Sequence, residues 1–480
     1  MVGATRRSAL GYLAGAAVTG VAAVAGARHV TAQTAAGHVR SEVSTTVGAA
    51  NLVIYRNAVR YMQSLPSTDR RSWTYQASIH NSWCPHRNWY LLPWHREYLL
   101  ALEQIIRSFP ASQVPNAASF AMPYWNWTNN QRLPPAFTAR TNSDGTPNAL
   151  YDASRTLAAT GSIPIEAVSA ATMRKIYLQT QFTSFGSAAI LATDSQRKPA
   201  VMGMLEATPH NTVHNTIGGD MATMLSPRDP IFYVHHANVD RIWASWNRQG
   251  QANPNDPAWS NRTFANNFAS PNGNLYSIVV RNISDASYVY DSYDPAPAGA
   301  STGPSGERAF KVRVANRKRA TLDSPAAIRL DLRGCRHSGR EAAVRLLDIA
   351  SPKLAHAPLV RVFVNHPAPA PRLSPKGPHY VGTFSFFGTA AQHRALQTVE
   401  SSSGQRFSAA DLCISDRDDA DAKAATRVSV ELPLTRTLRR LEAAGKPVGD
   451  TLTVQIVPVI LGAARAPIEI RPKAVEVEFF

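Results

Sequence analysis

Through the first half of the chain, apolar residues recur at steps of three and four. In "AANLVIYRNAVRYMQSL" (49–65) and "PWHREYLLALEQIIRSF" (93–109) this spacing stacks them on one face, which predicts amphipathic helices. Long proline- and asparagine-rich connections such as "YWNWTNNQRLPPAFTARTNSDGTPNALYD" (124–152) run between the helices, the kind of segment that wraps a helical core and carries function. The pattern breaks at "YDPAPAGASTGPSGE" (293–307), small and almost featureless, which reads as a linker. Beyond it the period drops to two in "RAFKVRVAN", "AAIRLDLRG", "LVRVFVNHP", "HYVGTFSFFG", "TRVSVELPL", "TLTVQIVPVI" and "KAVEVEFF". These seven segments predict short strands of a β-sandwich or small barrel over 308–480, interrupted by one helix at "TRTLRRLEAAGK". The expected order is therefore a mainly α domain at 45–292, the linker, and an all-β domain.

Length agrees with two domains, since 480 residues exceed the ~250 to 300 at which single cores stop growing. The net charge of +17 comes from arginines scattered as in "RRSW", "ANRKRA" and "RTLRRLE", with no recognisable nucleic-acid motif, so it reads as a solvated basic surface and no nucleic-acid partner is expected. At the N-terminus, Arg6 and Arg7 precede a small-residue apolar run from Ala9 to about Ala27, and "VTA" ends at Ala32. That layout is a twin-arginine signal peptide over 1–32, implying export to the periplasm or beyond; no later segment could span a membrane, so no stable membrane insertion is expected. Three cysteines, Cys84, Cys335 and Cys413, build no disulfide framework. A Cys335–Cys413 bridge suits an oxidising compartment, but sequence alone does not bring the two together.

Histidines change the picture most. Between residues 39 and 336 there are seven, in two groups: His80, His86 and His95, then His210, His214, His235 and His236. His210 and His214 in "TPHNTVHN" are four apart, so on a helix both imidazoles can aim at one ion. In "DPIFYVHHANVDRIW", Asp229 as N-cap and Pro230 at the first position open a helix carrying His235 and His236. Adjacent helical residues point about 100° apart, so at most one of that pair faces the same ion, and His235 is expected to pack behind the ligands. The first group places His80 at the end of "WTYQASIH", His86 in a loop and His95 on a helix opened by Pro93. Imidazole sets without carboxylates suit copper, zinc or nickel.

The segments "CPHRNWYLLPWHREYLLALE" (84–103), "MPYWNWT" (122–128), "EATPHNTVHNTIGG" (206–219), "DPIFYVHHANVDRIW" (229–243) and "YVYD" (288–291) resemble the tyrosinase and polyphenol oxidase family of coupled binuclear copper proteins. The later strand segments resemble, with weaker motifs, the C-terminal β-domain of latent polyphenol oxidases. The resemblance implies a four-helix-bundle core holding two copper ions, one on His80, His86 and His95 and one on His210, His214 and His236, with O2 as co-substrate and small phenols and catechols as substrates. Five residues separate His80 from His86, a shorter loop than the family pattern implies. Cys84 matches a cysteine that forms a thioether with the second ligand histidine, here His86. Glu206 and Asn211 match residues that hold a water and help to deprotonate a monophenol. Thr223 and Asn215 match positions bordering the substrate entrance; Arg228 and Asp240 are expected to support the helix that carries His236. The β-domain is expected to act as a lid whose bulky side chain, from Phe384, Phe386 or Phe387, fills the site until the linker is cut. The resemblance thus implies a latent tyrosinase. A catechol or o-aminophenol oxidase uses the same coppers without hydroxylation, and a haemocyanin-like oxygen carrier uses them without turnover. A homo-oligomer stays open.

Overall fold

The computed structural model describes residues 37–281, 287–297, 310–334, 340–350, 358–368, 370–371, 373–387, 427–460 and 468–480. The expected signal peptide, most of the linker, Cys335 and Cys413 lie outside the described residues. Among those described, no helix is long and apolar enough to cross a membrane.

The helical half is built on helices that begin where a side chain can satisfy free amides. Thr45 accepts from the Gly48 amide and opens α1 (Thr46–Ser64); Ser72 accepts from the Tyr75 amide and opens α2 (Trp73–Trp83). Helix α3 (Leu91–Arg107) starts two residues before Pro93, the residue expected to open it. Proline is tolerated there because a first-turn residue has no intrahelical acceptor to satisfy. The helix Ile231–Arg248 begins one residue later than expected: Pro230 takes the cap position, and Asp229 still accepts from the Ile231 amide at 3.0 Å. The helical unit also reaches back before residue 45, because β1 (His38–Arg40) pairs in parallel with β5 (Tyr288–Tyr290). A small hairpin, β3 (Thr263–Ala269) and β4 (Leu275–Val279), flanks α3.

Where β1 and β5 meet, a buried charge cluster ties them to the two central helices. Arg40 pairs with Glu103 of α3 at 2.9 Å and with Asp240 of the Ile231–Arg248 helix at 3.2 Å, while Arg96 pairs with Asp240 at 2.7 Å. The Arg40 guanidinium lies 3.5 Å over the Tyr288 ring, and the Tyr288 and Tyr290 hydroxyls both donate to Asp240. Ion pairs this dry contribute little net stability as pairs, but removing one partner strands the others. Their effect is to hold α3 and the Ile231–Arg248 helix, the carriers of His95 and His236, in one register.

The second half contains two sheets that share an apolar core. One has the order β10-β9-β12-β7, from β7 (Ala326–Asp331), β9 (Leu359–Val364), β10 (Tyr380–Phe384) and β12 (Thr451–Val459). The other has the order β2-β11-β8-β13-β6, from β6 (Phe310–Ala315), β8 (Ala342–Ala350), β11 (Arg427–Pro433), β13 (Ala474–Phe479) and β2 (Val201–Met202). All seven expected segments contain a strand, and the expected helix is present at Thr435–Ala443. Strand β8 was not expected: its alternation is broken at "LLD", where Asp348 takes a left-handed φ of 59°. More consequential is β2, which belongs to the helical half and adds itself in parallel to β11. Met202 and Ala207 are buried in the core of the sheets, and Phe387 is buried in the helical core, so each half fills part of the other. Glu166–Arg361 at 2.6 Å and a Lys175 bond to the Val381 carbonyl add polar contacts across the same boundary.

Replacing Asp240 by alanine leaves Arg40 and Arg96 without a shared counter-charge. We expect a loss of about 3–5 kcal/mol, measured as a lower midpoint in urea denaturation followed by tryptophan fluorescence.

Candidate metal centre

Five helical segments and one loop deliver the histidines. His80 lies in the last turn of α2, His86 in the loop 84–90, His95 in the first turns of α3, and His236 on Ile231–Arg248. His210 and His214 do not share one regular helix: Glu206–His210 forms a wide π-helical turn containing Pro209, which runs into the helix Asn211–Ile217. The wide turn arises because Pro209 has no amide to donate, and it places Glu206 differently from the one α-turn spacing expected from sequence.

The donor atoms of His80, Cys84, His86 and His95 all lie within 4.8 Å of one another, and so do those of His210, His214, His235 and His236. All eight side chains are buried. The two groups adjoin, with the His95 and His236 rings stacked at 3.9 Å and 6°.

Hydrogen bonds decide which nitrogen is free. The Nδ1–H groups of His80, His95 and His214 donate to the carbonyls of Met224 (2.7 Å), Leu91 (2.8 Å) and Met221 (2.7 Å), and that of His210 donates to Asn211 Oδ1 (2.8 Å). A neutral ring that donates from Nδ1 keeps a lone pair on Nε2, so four Nε2 atoms face inward as acceptors. His80 Nε2 and His210 Nε2 have no hydrogen-bond partner, and His214 Nε2 lies 3.2 Å from His236 Nε2, the separation of two nitrogens sharing one ion or one proton. The rings stay neutral because burial lowers His80 to about 3 and His210 to about 4 and holds His86, His95, His214 and His236 well below 6.5, reinforced by neighbouring imidazoles. Two adjoining, buried, uncharged sets of inward lone pairs fit a pair of borderline cations such as copper, and no carboxylate enters either set.

The carbonyls that hold His80 and His214 come from one tight loop. Gly218 (φ 72°) and Gly219 (φ 58°) turn the chain there, and a Cβ on either would lie about 2 Å from Thr156 Oγ1 or the Ser154 carbonyl.

The description "Common central domain of tyrosinase" matches residues 70–168 and 153–249. A tyrosinase of Hahella sp. (strain CCB-MM4) is 29% identical over 295 residues, covering 52% of this chain and 62% of that protein. A chloroplastic polyphenol oxidase of Vitis vinifera is 28% identical over 287 residues, covering 51% and 46%. The solved structure of latent apple tyrosinase superposes with a TM-score of 0.66 at 21% identity, covering 92% of this chain and 97% of that one, a likeness of fold. Residues 70–249, which carry all seven of the clustered histidines, are thus similar to the central domain that tyrosinases share, and the sequence relatives are a tyrosinase and a polyphenol oxidase. The chain aligns with less than two thirds of the length of either sequence relative.

Among the clustered histidines, His235 differs from its neighbours. Trp127 Nε1 donates to His235 Nδ1 at 3.2 Å, which leaves the hydrogen of the neutral ring on Nε2 and no free lone pair, although His235 sits among the second set. Cys84 Sγ lies 3.4 Å from His95 Nε2 and 3.8 Å from His86 Nε2, within hydrogen-bonding reach of both and covalently linked to neither. Glu206 is buried and pushed up to about 7, with its oxygens accepting from the Arg87 amide (2.6 Å) and Ser187 Oγ (2.5 Å). Asn211 links both halves, accepting from His210 and donating to the Ser385 carbonyl at 3.0 Å; Asn215 donates to the Phe386 carbonyl at 2.6 Å. Thr223 is buried, and its hydroxyl closes a turn by donating to the Asp220 carbonyl. Arg228 sits 3.4 Å from Asp220, and Asp240 belongs to the charge cluster.

Of the three phenylalanines expected to cover the site, Phe387 is the one that reaches the histidines, with its ring 4.2 Å from that of His214 and 4.9 Å from that of His86. Phe384 and Phe386 are instead core residues of the sheets, their rings 5.4 Å apart. The cause is the period of an extended chain: residues 384 and 386 share one face and 387 points to the other. Sequence reasoning passed over Trp127, Ser187, Phe232 (4.2 Å from His236) and the carbonyls of Met221 and Met224. Trp127 lies in the quoted "YWNWT", so it was within view; main-chain acceptors carry no side-chain signal.

Metal-free protein should lose stability as pH falls. Unfolded histidines take up protons near 6.5, which these folded ones refuse until about 3 to 4, so the denaturation midpoint should fall steadily from pH 7 to 4.5. Glu206 and Asp220, both raised to about 7, act in the opposite sense but are outnumbered. A midpoint flat across that range would contradict buried neutral imidazoles.

Proposed function

We propose that this chain is a copper-dependent phenol oxidase that hydroxylates monophenols at the ortho position and oxidises o-diphenols to o-quinones with O2, held latent by its C-terminal half. The observation that carries the reading is the pair of adjoining, buried sets of inward imidazole lone pairs. His80, His86 and His95 hold one copper, and His210, His214 and His236 the other. When bound, a copper pair supplies the O2 activation and two-electron chemistry that phenol and catechol oxidation require. The protein contributes position and dryness: carbonyls and Asn211 fix the rings, and Trp127 keeps His235 out of the ligand set. The paired Arg6 and Arg7 ahead of the small-residue apolar run support export of the folded chain.

Glu206, with a pKa near 7, is matched to take a proton from an incoming phenol at neutral pH. One observation favours the second reading, a catechol oxidase: both Glu206 oxygens already accept from Arg87 and Ser187. A catechol needs less help from that carboxylate because it is oxidised without hydroxylation. In the Glu206→Gln variant we expect hydroxylation of tyramine to fall about 10²-fold while oxidation of 4-methylcatechol stays within a few-fold. Absence of any tyramine hydroxylation in the unlatched parent protein would select the catechol oxidase.

Phe387 packs on His214 and His86, in space that an aromatic substrate must share. If it is the plug, Phe387→Ala in the intact chain should raise catechol turnover at least about tenfold without cleavage of the 293–307 linker, by relieving competition for the open state. Copper analysis checks the centre itself: the active form should hold two coppers per chain.

A further inference from the structure

The loop between His214 and the helix of His236 serves both histidine sets at once. Met221 gives its carbonyl to His214 in the second set, and Met224 gives its carbonyl to His80 in the first. We propose that Asp220, a residue outside both donor groups, is the positioning residue of this loop: through its pair with Arg228 it holds the two carbonyls in place and so fixes the tautomer of one metal-binding histidine in each set. The proposal rests on the binuclear reading above.

Two short 3-10 turns, Gly219–Ala222 and Ser226–Arg228, bracket the loop. The first is moored at its start, where the Asp220 amide donates to Ser154 Oγ at 2.9 Å. The second is moored at its end, where Trp73 Nε1 of α2 donates to the Arg228 carbonyl at 2.8 Å. Asp220 joins the two turns: its Oδ2 lies 3.4 Å from Arg228 Nε, and its carbonyl accepts from the Thr223 hydroxyl at 2.9 Å. Met221 and Met224 lie in the chain between the paired residues.

The plainer alternative is an ion pair that only stabilises the fold, and two observations speak against it. Asp220 Oδ1 is buried with no hydrogen-bond partner among the described residues, so the carboxylate is incompletely satisfied. Burial pushes the Asp220 carboxyl up to about 7 despite Arg228, with Asp152 and Asp229 adding to the rise, so above neutral pH its charge is a net cost to the fold. A buried charge of that kind is expected where it holds a functional geometry.

Two other rings supply an internal control. His95 donates to the Leu91 carbonyl of its own helix and His210 to Asn211 Oδ1, neither of them on the loop. Opening the Asp220–Arg228 pair therefore frees His80 and His214 and leaves His95 and His210 fixed. A freed neutral ring exchanges its proton between the two nitrogens, so its Nε2 lone pair faces the site only part of the time.

The test uses the metal-free full chain with isotope-labelled histidine nitrogens, at about pH 8, where Asp220 is ionised. In the parent protein the Nδ1–H protons of His80, His95, His210 and His214 should all give resolved magnetic-resonance signals. In Asp220→Asn those of His80 and His214 should broaden or vanish together while those of His95 and His210 persist. Competition with a Cu(I) chelator should show both coppers held about tenfold or more weakly, the scale on which partners of a ligand ring act. If that variant does not fold, Arg228→Gln opens the same pair from the other side and is read by the same signals. The proposal is overturned if all these signals persist, if all weaken together, if only one of His80 and His214 is freed, if copper affinity is unchanged at either site, or if neither variant folds. A parent chain that binds a single copper overturns the binuclear reading instead, and the histidine signals still decide the role of Asp220.

Discussion

Everything in the helical half answers to one constraint: seven imidazoles and a thiol are buried side by side, and each nitrogen taken from water needs either a hydrogen-bond partner or an ion. Charge is no way out, because burial and mutual repulsion hold the rings neutral. The fold meets the demand on one side of each of four rings with an oxygen at Nδ1, and leaves the other side facing inward. The loop after Gly218 and Gly219 is shaped to bring the Met221 and Met224 carbonyls to those rings, so the tight turn that ends the helix of His214 becomes part of the centre.

Holding the rings is of use only if their helices keep register. The cluster of Arg40, Arg96, Glu103 and Asp240 does this by joining α3 to the Ile231–Arg248 helix, with Tyr288 and Tyr290 closing it from the far end of the helical half. A shift of one residue along either helix would separate these charges in a medium that cannot solvate them. Chain segments about 250 residues apart thereby set the spacing of His95 and His236.

The covering sheets are joined to the same residues. Asn211 orients His210 with its oxygen and holds the Ser385 carbonyl with its nitrogen, while β2, just before the Glu206 turn, is a strand of the second half's own sheet. Closing the site and shaping it therefore use one backbone segment. Displacing the sheets would expose Met202 and Ala207 as well as uncovering the histidines, so opening carries a hydrophobic cost beyond the loss of the Phe387 contact.

Periodicity and residue spacing are local properties, and they carried the sequence reading: the helical half, the break near residue 293, seven of the strands and the grouping of histidines all follow from side chains within a few positions of one another. The family motifs extended that reading to named metal-binding and lid positions. What the tertiary structure alone decided depends on partners remote along the chain. Trp127 distinguishes His235 from His236 across 108 positions. The face of an extended segment selects Phe387 over Phe384 and Phe386, and β2 crosses from one half to complete a sheet of the other. Ser187 and the Arg87 amide occupy Glu206. A hydrogen bond or an ion pair forms only when the fold has brought both partners within about 3 Å, and no spacing along the chain encodes that proximity.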